Sequence, residues 1–410
     1  MKTLNRFSVL VFGILIFSFL SGTSSAQWIQ TSAGITTSTV VSLAGNGTNL
    51  YAGTWNEGIF LSTNNGTSWT SRNSGLTNLS VNAILIIGSN MFAGTSGGGV
   101  FISTNGGSSW SAVNNGLTVT NVLALASIGS NIFAATNNGI FLSTNNGSSW
   151  SAKNTGLTSL SFRVLYAAGS NIYAGSTNGA FVTSNNGTSW TAINNGMTNS
   201  NVISFTSYGS ILFAGTVNEG VFLSIDNGST WITINSGLGN LYIRGGLLFN
   251  GTNLFAGTGG GVYLTKNMGL YWVPKNQGMG SNIIVSALYI ANNYIFAGTF
   301  SNGVWRRSLT EIVNVKQISS SVPDKYSLYQ NYPNPFNPST TIKFDVPKSS
   351  FVTIKIFDVT GREITTLFNE NLTAGSYETN FNASGLSSGV YMYKLSAGDF
   401  EVTKKMLLVR

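Results

Sequence analysis

The chain of 410 residues contains no cysteine and no histidine. Disulfide staples are thereby excluded, and so are zinc sites built on Cys or His ligands. A Ser-His-Asp triad and a Cys-His dyad fall on the same ground. Charge is scarce too, at 8% of residues. The formal net charge of +8 includes Lys2 and Arg6, which lie in a segment that reads as removable. Across 27–310 there are eight Lys or Arg and three acids, Glu57, Glu219 and Asp226. A nucleic-acid surface needs clustered cations, so no nucleic-acid partner is expected. The doublet Arg306-Arg307 reads as two solvated charges on a strand, where successive side chains face opposite ways. Long apolar runs are absent apart from Phe7–Leu20. That run is short for a bilayer span, follows positive Lys2 and Arg6, and precedes Ser24-Ser25-Ala26, small residues suited to signal peptidase. It predicts a signal peptide over 1–26, a mature chain from Gln27, and no membrane span once the signal is removed.

What is present is repetition. Tryptophan returns every 40 or 41 residues, at Trp28, Trp69, Trp110, Trp150, Trp190, Trp231 and Trp272. NLYAGT at Asn49–Thr54 returns at the same pitch around Ala93, Ala134, Ala174, Ala214, Ala256 and Ala297. A period near 40 with Gly-rich turns marks a propeller or a solenoid. Within Val81–Gly116, VNAILIIG, NMFAGT, GGVFIS and SWSAVNNG are separated by tight turns and show no helical period. Strands this continuously apolar expect a neighbouring sheet on both faces. Ala-Gly in the second strand suits close approach, and Trp in the fourth suits the wedge where blades splay. Radial repetition of four-stranded blades protects sheet edges. A β-solenoid is the alternative, but its coils are usually shorter.

The turn from third to fourth strand reads STNNGTSW at Ser62–Trp69, STNGGSSW at Ser103–Trp110 and STNNGSSW at Ser143–Trp150. Looser copies are TSNNGTSW at Thr183–Trp190, SIDNGSTW at Ser224–Trp231 and TKNMGLYW at Thr265–Trp272. These resemble the Asp-box (bacterial neuraminidase) repeat, S-x-D-x-G-x-x-W. Only Asp226 keeps the aspartate. Asn64, Asn105, Asn145, Asn185 and Asn267 replace it, and Asn supports the same turn. The resemblance implies a structural staple, not an active site. Seven units have first, second and third strands, and the last stops at Ser308 without a box or Trp. Gln27-Trp28-Ile29-Gln30 is a Trp-bearing strand with no unit before it. Placing it in the last blade closes a seven-bladed ring.

A polar linker is expected over 309–325. The tail 326–410 then carries QNYPNPFNP, DVTGRE, and SGVYMYKL followed by TKKMLL. It resembles the type A C-terminal sorting domain of type IX secretion cargo. The resemblance implies a small β-sandwich that docks on the outer-membrane translocon, and export to the cell surface or medium. Thr340–Val346, Phe351–Asp358 and Val390–Leu395 alternate or run apolar as sandwich strands do, and Pro333, Pro335 and Pro338 oppose regular pairing in the lead-in. The expected fold is therefore all-β, a seven-bladed β-propeller over 27–308 followed by a small C-terminal β-sandwich sorting domain.

The expected ligand face is built by turns between second and third strands and by the links between blades, opposite the box turns. Trp55 and Phe300 hold the same turn position in adjacent blades one and seven, and predict an aromatic platform for a sugar or a partner's apolar patch. Arg163 and Arg244, with Phe162 and Tyr242 beside them, are candidates to attract an anionic group to the channel mouth. Glu57 and Glu219 occupy equivalent turns in blades one and five. Glycosidases use two carboxylates roughly 5–10 Å apart, and these two are three blades apart, so no catalytic residue, cofactor or metal is expected. The sequence thus predicts a secreted binding or scaffold module for a glycan or a surface protein. A carbohydrate-active enzyme, a glycoside hydrolase or sialidase-like protein, is the alternative.

Overall fold

A computed structural model describes residues 27–36, 39–197, 201–312, 315–319, 321–372, 374–383 and 386–410. The signal peptide expected over 1–26 lies outside these residues. Seven four-stranded antiparallel sheets form the blades of a propeller, and two further four-stranded sheets form a C-terminal sandwich. Six blades use contiguous chain. Blade one, for example, runs Val40–Asn46, Asn49–Thr54, Ile59–Ser62 and Thr70–Ser71 in spatial order. The second strands are buried along almost their whole length. Small residues there are a steric requirement. A Cβ at Gly94 would stand 2.6 Å from Val122 of the next blade.

The tryptophans tie each blade to its predecessor. Trp150 Nε1 donates to Val113 O at 2.7 Å, Trp190 Nε1 to Lys153 O at 2.8 Å, and Trp231 Nε1 to Ile193 O at 2.9 Å. All seven are buried, between 0% and 5% exposed. A buried indole therefore fills the wedge and also satisfies its own N–H, as a buried Trp must. The backbone enforces the same contact. Gly156 has φ +87°, and a Cβ there would lie 2.2 Å from Trp190 O of the following blade. Only glycine accepts both conditions.

The ring closes as the repeat count predicts. Ile29–Gln30 pairs with Val304–Ser308, completing the blade that holds Val285–Ala291 and Tyr294–Thr299. Trp28 Nε1 donates to Lys275 O at 2.5 Å, 247 residues away, repeating the bond made at every other seam. The Arg306-Arg307 doublet corrects the reading of two solvated charges. Arg307 is 4% exposed and donates to Lys275 O and to Gln277 Oε1 in blade six. Arg306 lies over the Tyr294 ring and donates to Asn65 O and Thr67 Oγ1 in blade one. Opposite strand faces send the two cations to opposite neighbours, so the doublet clamps both seams of the closing blade.

The turns between third and fourth strands form closed hydrogen-bond sets. Ser143 Oγ donates to Asn145 Oδ1 at 2.9 Å, and Gly147 and Ser149 amides donate back to Ser143 Oγ and Asn145 Oδ1. Asp226 holds the same geometry in blade five, accepting from Ser224 Oγ, Thr230 N and Thr230 Oγ1. Those hydrogen bonds, with Thr230 first, pull its carboxyl down to about 2.

The expected linker is not featureless. Leu309–Ile312 forms a helical turn whose Leu309 and Ile312 join the core cluster containing Trp28 and Met279. Val315–Ser319 pairs with Gly375–Asn382, so the sandwich begins ahead of residue 326. A polar segment took this place because sheet pairing is made by backbone groups and leaves no apolar signature. The sandwich packs Ser339–Val346 and its partners against Ser350–Phe357, Gly389–Ala397 and Phe400–Leu408, around Phe344, Ile354, Tyr393 and Met406. The proline stretch joins by isolated bridges, Tyr332 with Thr341 and Phe336 with Leu408. Asn331 is buried and bonded to Tyr393, Pro333 and Thr340, and Asn334 Oδ1 accepts from Leu407 N.

Candidate binding site at the channel mouth

In every blade but the sixth, which opens at Gly246, the first strand opens with a fully buried apolar residue, Val40, Val81, Val122, Phe162, Val202 or Val285. In six blades the residue after it is skipped by the ladder register, as Arg163 is between Phe162 and Val164. A bulge leaves one residue unpaired and re-aims it. Here the re-aimed side chains face the propeller axis. Asn82, Arg163 and Ser286 line a cavity of about 750 Å³, together with Arg244, Tyr242 and Trp55. Repetition thus supplies the position, and the varied residue supplies the chemistry.

The turn face is rigidly built. Thr54 Oγ1 donates to Gly58 O at 2.9 Å, and Asn73 bridges Ile59 N and Glu57 O. The same scheme recurs with Thr216, Asn235 and Glu219 in blade five. A frame of this kind holds exposed side chains in place at little entropic cost on binding.

Trp55 and Phe300 meet with ring centroids 5.4 Å apart and planes at 68°. The pair is edge-to-face and offers no flat platform. Trp55 remains 49% exposed. Arg244 completes the group. Its guanidinium carbon lies 5.4 Å from the Phe300 centroid and 5.9 Å from that of Tyr242, and its Nη1 donates to Tyr242 Oη at 2.7 Å. Blades six, seven and one therefore share one cationic, aromatic corner. Arg244 Nε is buried without an acceptor, and Asn201 Oδ1 on the same cavity wall is buried without a donor.

Four of the six residues picked from sequence converge here: Trp55, Phe300, Arg163 and Arg244. Glu57 and Glu219 do not line the cavity. The Glu57 carboxylate accepts from Thr36 Oγ1, and both glutamate amides donate to turn threonines. Phe162 is wholly buried and packs on Phe181, so it gives nothing to the mouth. Asn82, Asn201 and Ser286 escaped sequence reasoning. For Asn82 and Ser286 the signal was a column of unlike residues following a column of like ones, whereas Asn201 stands before that column. Elsewhere, burial lowers the Lys266 amine to about 8, and burial, with Lys266 and Arg307 nearby, holds Lys275 well below its usual range. Lys275 lies at the seam between blades six and seven. Among the described residues no group of three or more metal-ligating side chains occurs, and no helix is long and apolar enough to cross a membrane.

The model of the secretion system C-terminal sorting domain matches residues 330–409. The tail is a sorting domain of type IX secretion. It directs the protein across the outer membrane to the cell surface or the extracellular space. Comparison with curated proteins finds no match. Among solved structures, the extracellular domain of the one-component system BT4673 from B. thetaiotaomicron shares 18% identity at TM-score 0.58, over 79% of this chain and 45% of that one. This chain thus spans less than half of that protein. YCF48 from Cyanidioschyzon merolae shares 14% at TM-score 0.53, over 69% of this chain and 98% of that one. The GH74 xyloglucanase from Xanthomonas campestris shares 12% at TM-score 0.55, over 77% and 59%. Similarity at this level shows the fold, a β-propeller, and nothing further.

Proposed function

We propose that this exported propeller is a binding module, without catalytic turnover, whose ligand enters the channel mouth on the turn face and carries negative charge. The carrying observation is the corner formed by Arg244, Tyr242, Phe300 and Trp55, with Arg163 on the same cavity wall. Among the described residues two guanidinium groups line the cavity and no carboxylate does. Glycoside hydrolysis asks for a carboxylate pair, so this lining supports binding over the carbohydrate-active alternative raised by the xyloglucanase fold. A YCF48 structure is bound to D1 peptide, so propellers of this shape serve both roles and the residues must decide. The turns between third and fourth strands are read as Asp-box-type staples with no ligand role, and the N-terminal segment as a signal peptide.

The test pairs binding with hydrolysis. The exported protein is screened against acidic and neutral glycans, peptide pools and polysaccharide substrates. Binding to anionic probes, lost in Arg163→Gln/Arg244→Gln and weakened in Trp55→Ala/Phe300→Ala, supports the reading. Turnover of a polysaccharide that Glu57→Gln or Glu219→Gln abolishes overturns it. Export is tested separately. Removing 326–410 should leave a folded propeller in the periplasm, and its normal appearance in the medium would contradict the role of the tail.

A further inference from the structure

The repeats are not equivalent on the face that carries the box turns. Among the described residues, the large hydrophobics exposed on the propeller away from the channel-mouth face are Ile29, Tyr208, Ile225, Ile232 and Leu270. All five lie in blades five to seven. Ile225 and Leu270 stand in box turns and are 71% and 74% exposed, and Ile232 opens an outermost strand at 63%. Blades one to four keep Ser or Thr in these three columns, as at Thr104, Ser108 and Ser111. The fold therefore needs no aliphatic residue at any of them. Neighbouring box turns adjoin, since Asn227 of blade five closes a pocket with Asn185 and Ser189 of blade four. Singly exposed hydrophobics are ordinary on a surface, but a sector in which three polar columns turn aliphatic together points to a contact.

The same sector is where the tail leaves. Val304–Ser308 runs to the box-turn face, and Leu309–Ile312 takes the place that a box turn has in the other blades, with Leu309 N donating to Asn293 O at 2.9 Å. Ile312 is buried in the propeller and sandwich pairing begins at Val315, so the two units are joined by no more than about 11 Å of chain. The outermost strand of blade six, Val273–Pro274, lies beside the sandwich strand Glu363–Leu372. A component that grips the sorting domain during export is thereby brought against blades five to seven. Tethering makes this second contact intramolecular, so a few aliphatic side chains suffice. The sector suits a protein rather than a lipid surface. Membrane-binding surfaces pair apolar groups with exposed cations. Here Asp226 stands next to Ile225, and the lysines of blade six, Lys266 and Lys275, are half-buried and buried.

We infer that the box-turn face of blades five to seven is a second contact surface for the outer-membrane protein machinery that carries the sorting domain, with Ile225, Ile232 and Leu270 meeting apolar side chains of the component that holds the tail. This goes beyond the channel-mouth reading and does not depend on it.

The experiment uses the full chain, expressed in a bacterium that has the type IX system. Pulse-chase labelling follows its arrival outside the outer membrane, in the medium and as protein reached by a membrane-impermeant biotin reagent. Ile225→Ser/Ile232→Ser/Leu270→Ser should arrive at least about fivefold more slowly, as removal of apolar anchors from an interface implies. Leu79→Ser/Leu160→Ser/Leu241→Ser, which strips exposed leucines from the opposite face, should arrive at the wild-type rate. Thermal melting of both purified variants confirms that they are folded. In cells, a photo-crosslinking benzoylphenylalanine at position 270 should capture the same envelope protein as one placed at exposed position 407 of the tail. Wild-type arrival of the first variant, or equal slowing of both, overturns the inference. Crosslinking from position 270 that yields only a second copy of this chain also overturns it. So does flotation of the protein with phosphatidylethanolamine and phosphatidylglycerol vesicles that the first set of serine changes abolishes.

Discussion

The two faces of the propeller are built from the same seven repeats and treat them in opposite ways. On one, Ser143, Asn145 and Gly147 or their counterparts make the same closed set of hydrogen bonds blade after blade. On the other, the bulge position carries valine, asparagine, leucine, arginine, isoleucine and serine in six blades. A repeated, saturated feature is a stability device. A varied one at a fixed position on a rigid frame is where binding chemistry can change without disturbing the fold.

Substitutions at the seams should have the largest effect. Trp190→Ala should cost about 3–5 kcal/mol by urea denaturation, through the cavity it leaves, and Trp28→Ala should cost about as much if the closing seam matches the others. A much smaller loss at Trp28 would mark the closure as weaker than its geometry implies. Gly156→Ala follows, at about 2 kcal/mol or more from left-handed strain and the clash with Trp190 O. Next comes a direct contrast between faces. Asn145→Ala should lose about 1–2 kcal/mol of stability with ligand affinity unchanged. Arg244→Gln should lose affinity at a cost in stability of about 1 kcal/mol, from the lost Tyr242 hydrogen bond and ring contacts. If Arg244→Gln unfolds the protein, the corner is structural and the contrast fails.

The smallest effect separates one staple from its siblings. Asp226 has its carboxyl lowered to about 2 by hydrogen bonds from Thr230 and Ser224. A group depressed in the folded state contributes stability that is present above its ordinary value near 3.8 and is lost as pH falls through about 2. Wild type should therefore shed slightly more stability than Asp226→Asn between about pH 4 and 2. Parallel acid melts of the two proteins would show it. Identical acid profiles would mean that the carboxylate gains nothing over the amides at Asn145 and Asn185.

The fold was legible because a propeller writes its geometry once per repeat. Trp pitch gave the blades, and an unmatched Trp28 gave the closure. The tail was legible from QNYPNPFNP and its companions. The site was legible only where a residue broke its column with charge or an aromatic ring, as at Arg163, Arg244, Trp55 and Phe300. Glu57 and Glu219 looked equally distinctive, but neither lines the cavity. Asn82 and Ser286 were invisible because the bulge that re-aims them is a backbone event. Arg306-Arg307 misled for a related reason. Scarce charge suggests solvent, whereas these guanidinium groups pair with backbone carbonyls and a side-chain amide that carry no charge to notice.

The closing blade sets an order on folding. Six blades draw all four strands from one stretch of consecutive residues. The seventh must wait, because Ile29–Gln30 seeks Val304–Ser308 across the entire ring. Closing so long a loop adds little free energy, since its entropy grows only with the logarithm of length, but such distant pairings are made slowly. Until then Val304–Ser308 is an open edge, able to accept a strand from another chain. The earliest residues of the propeller are thus the last to find their place, and the interval before they do is when this protein is most exposed to association with its own copies.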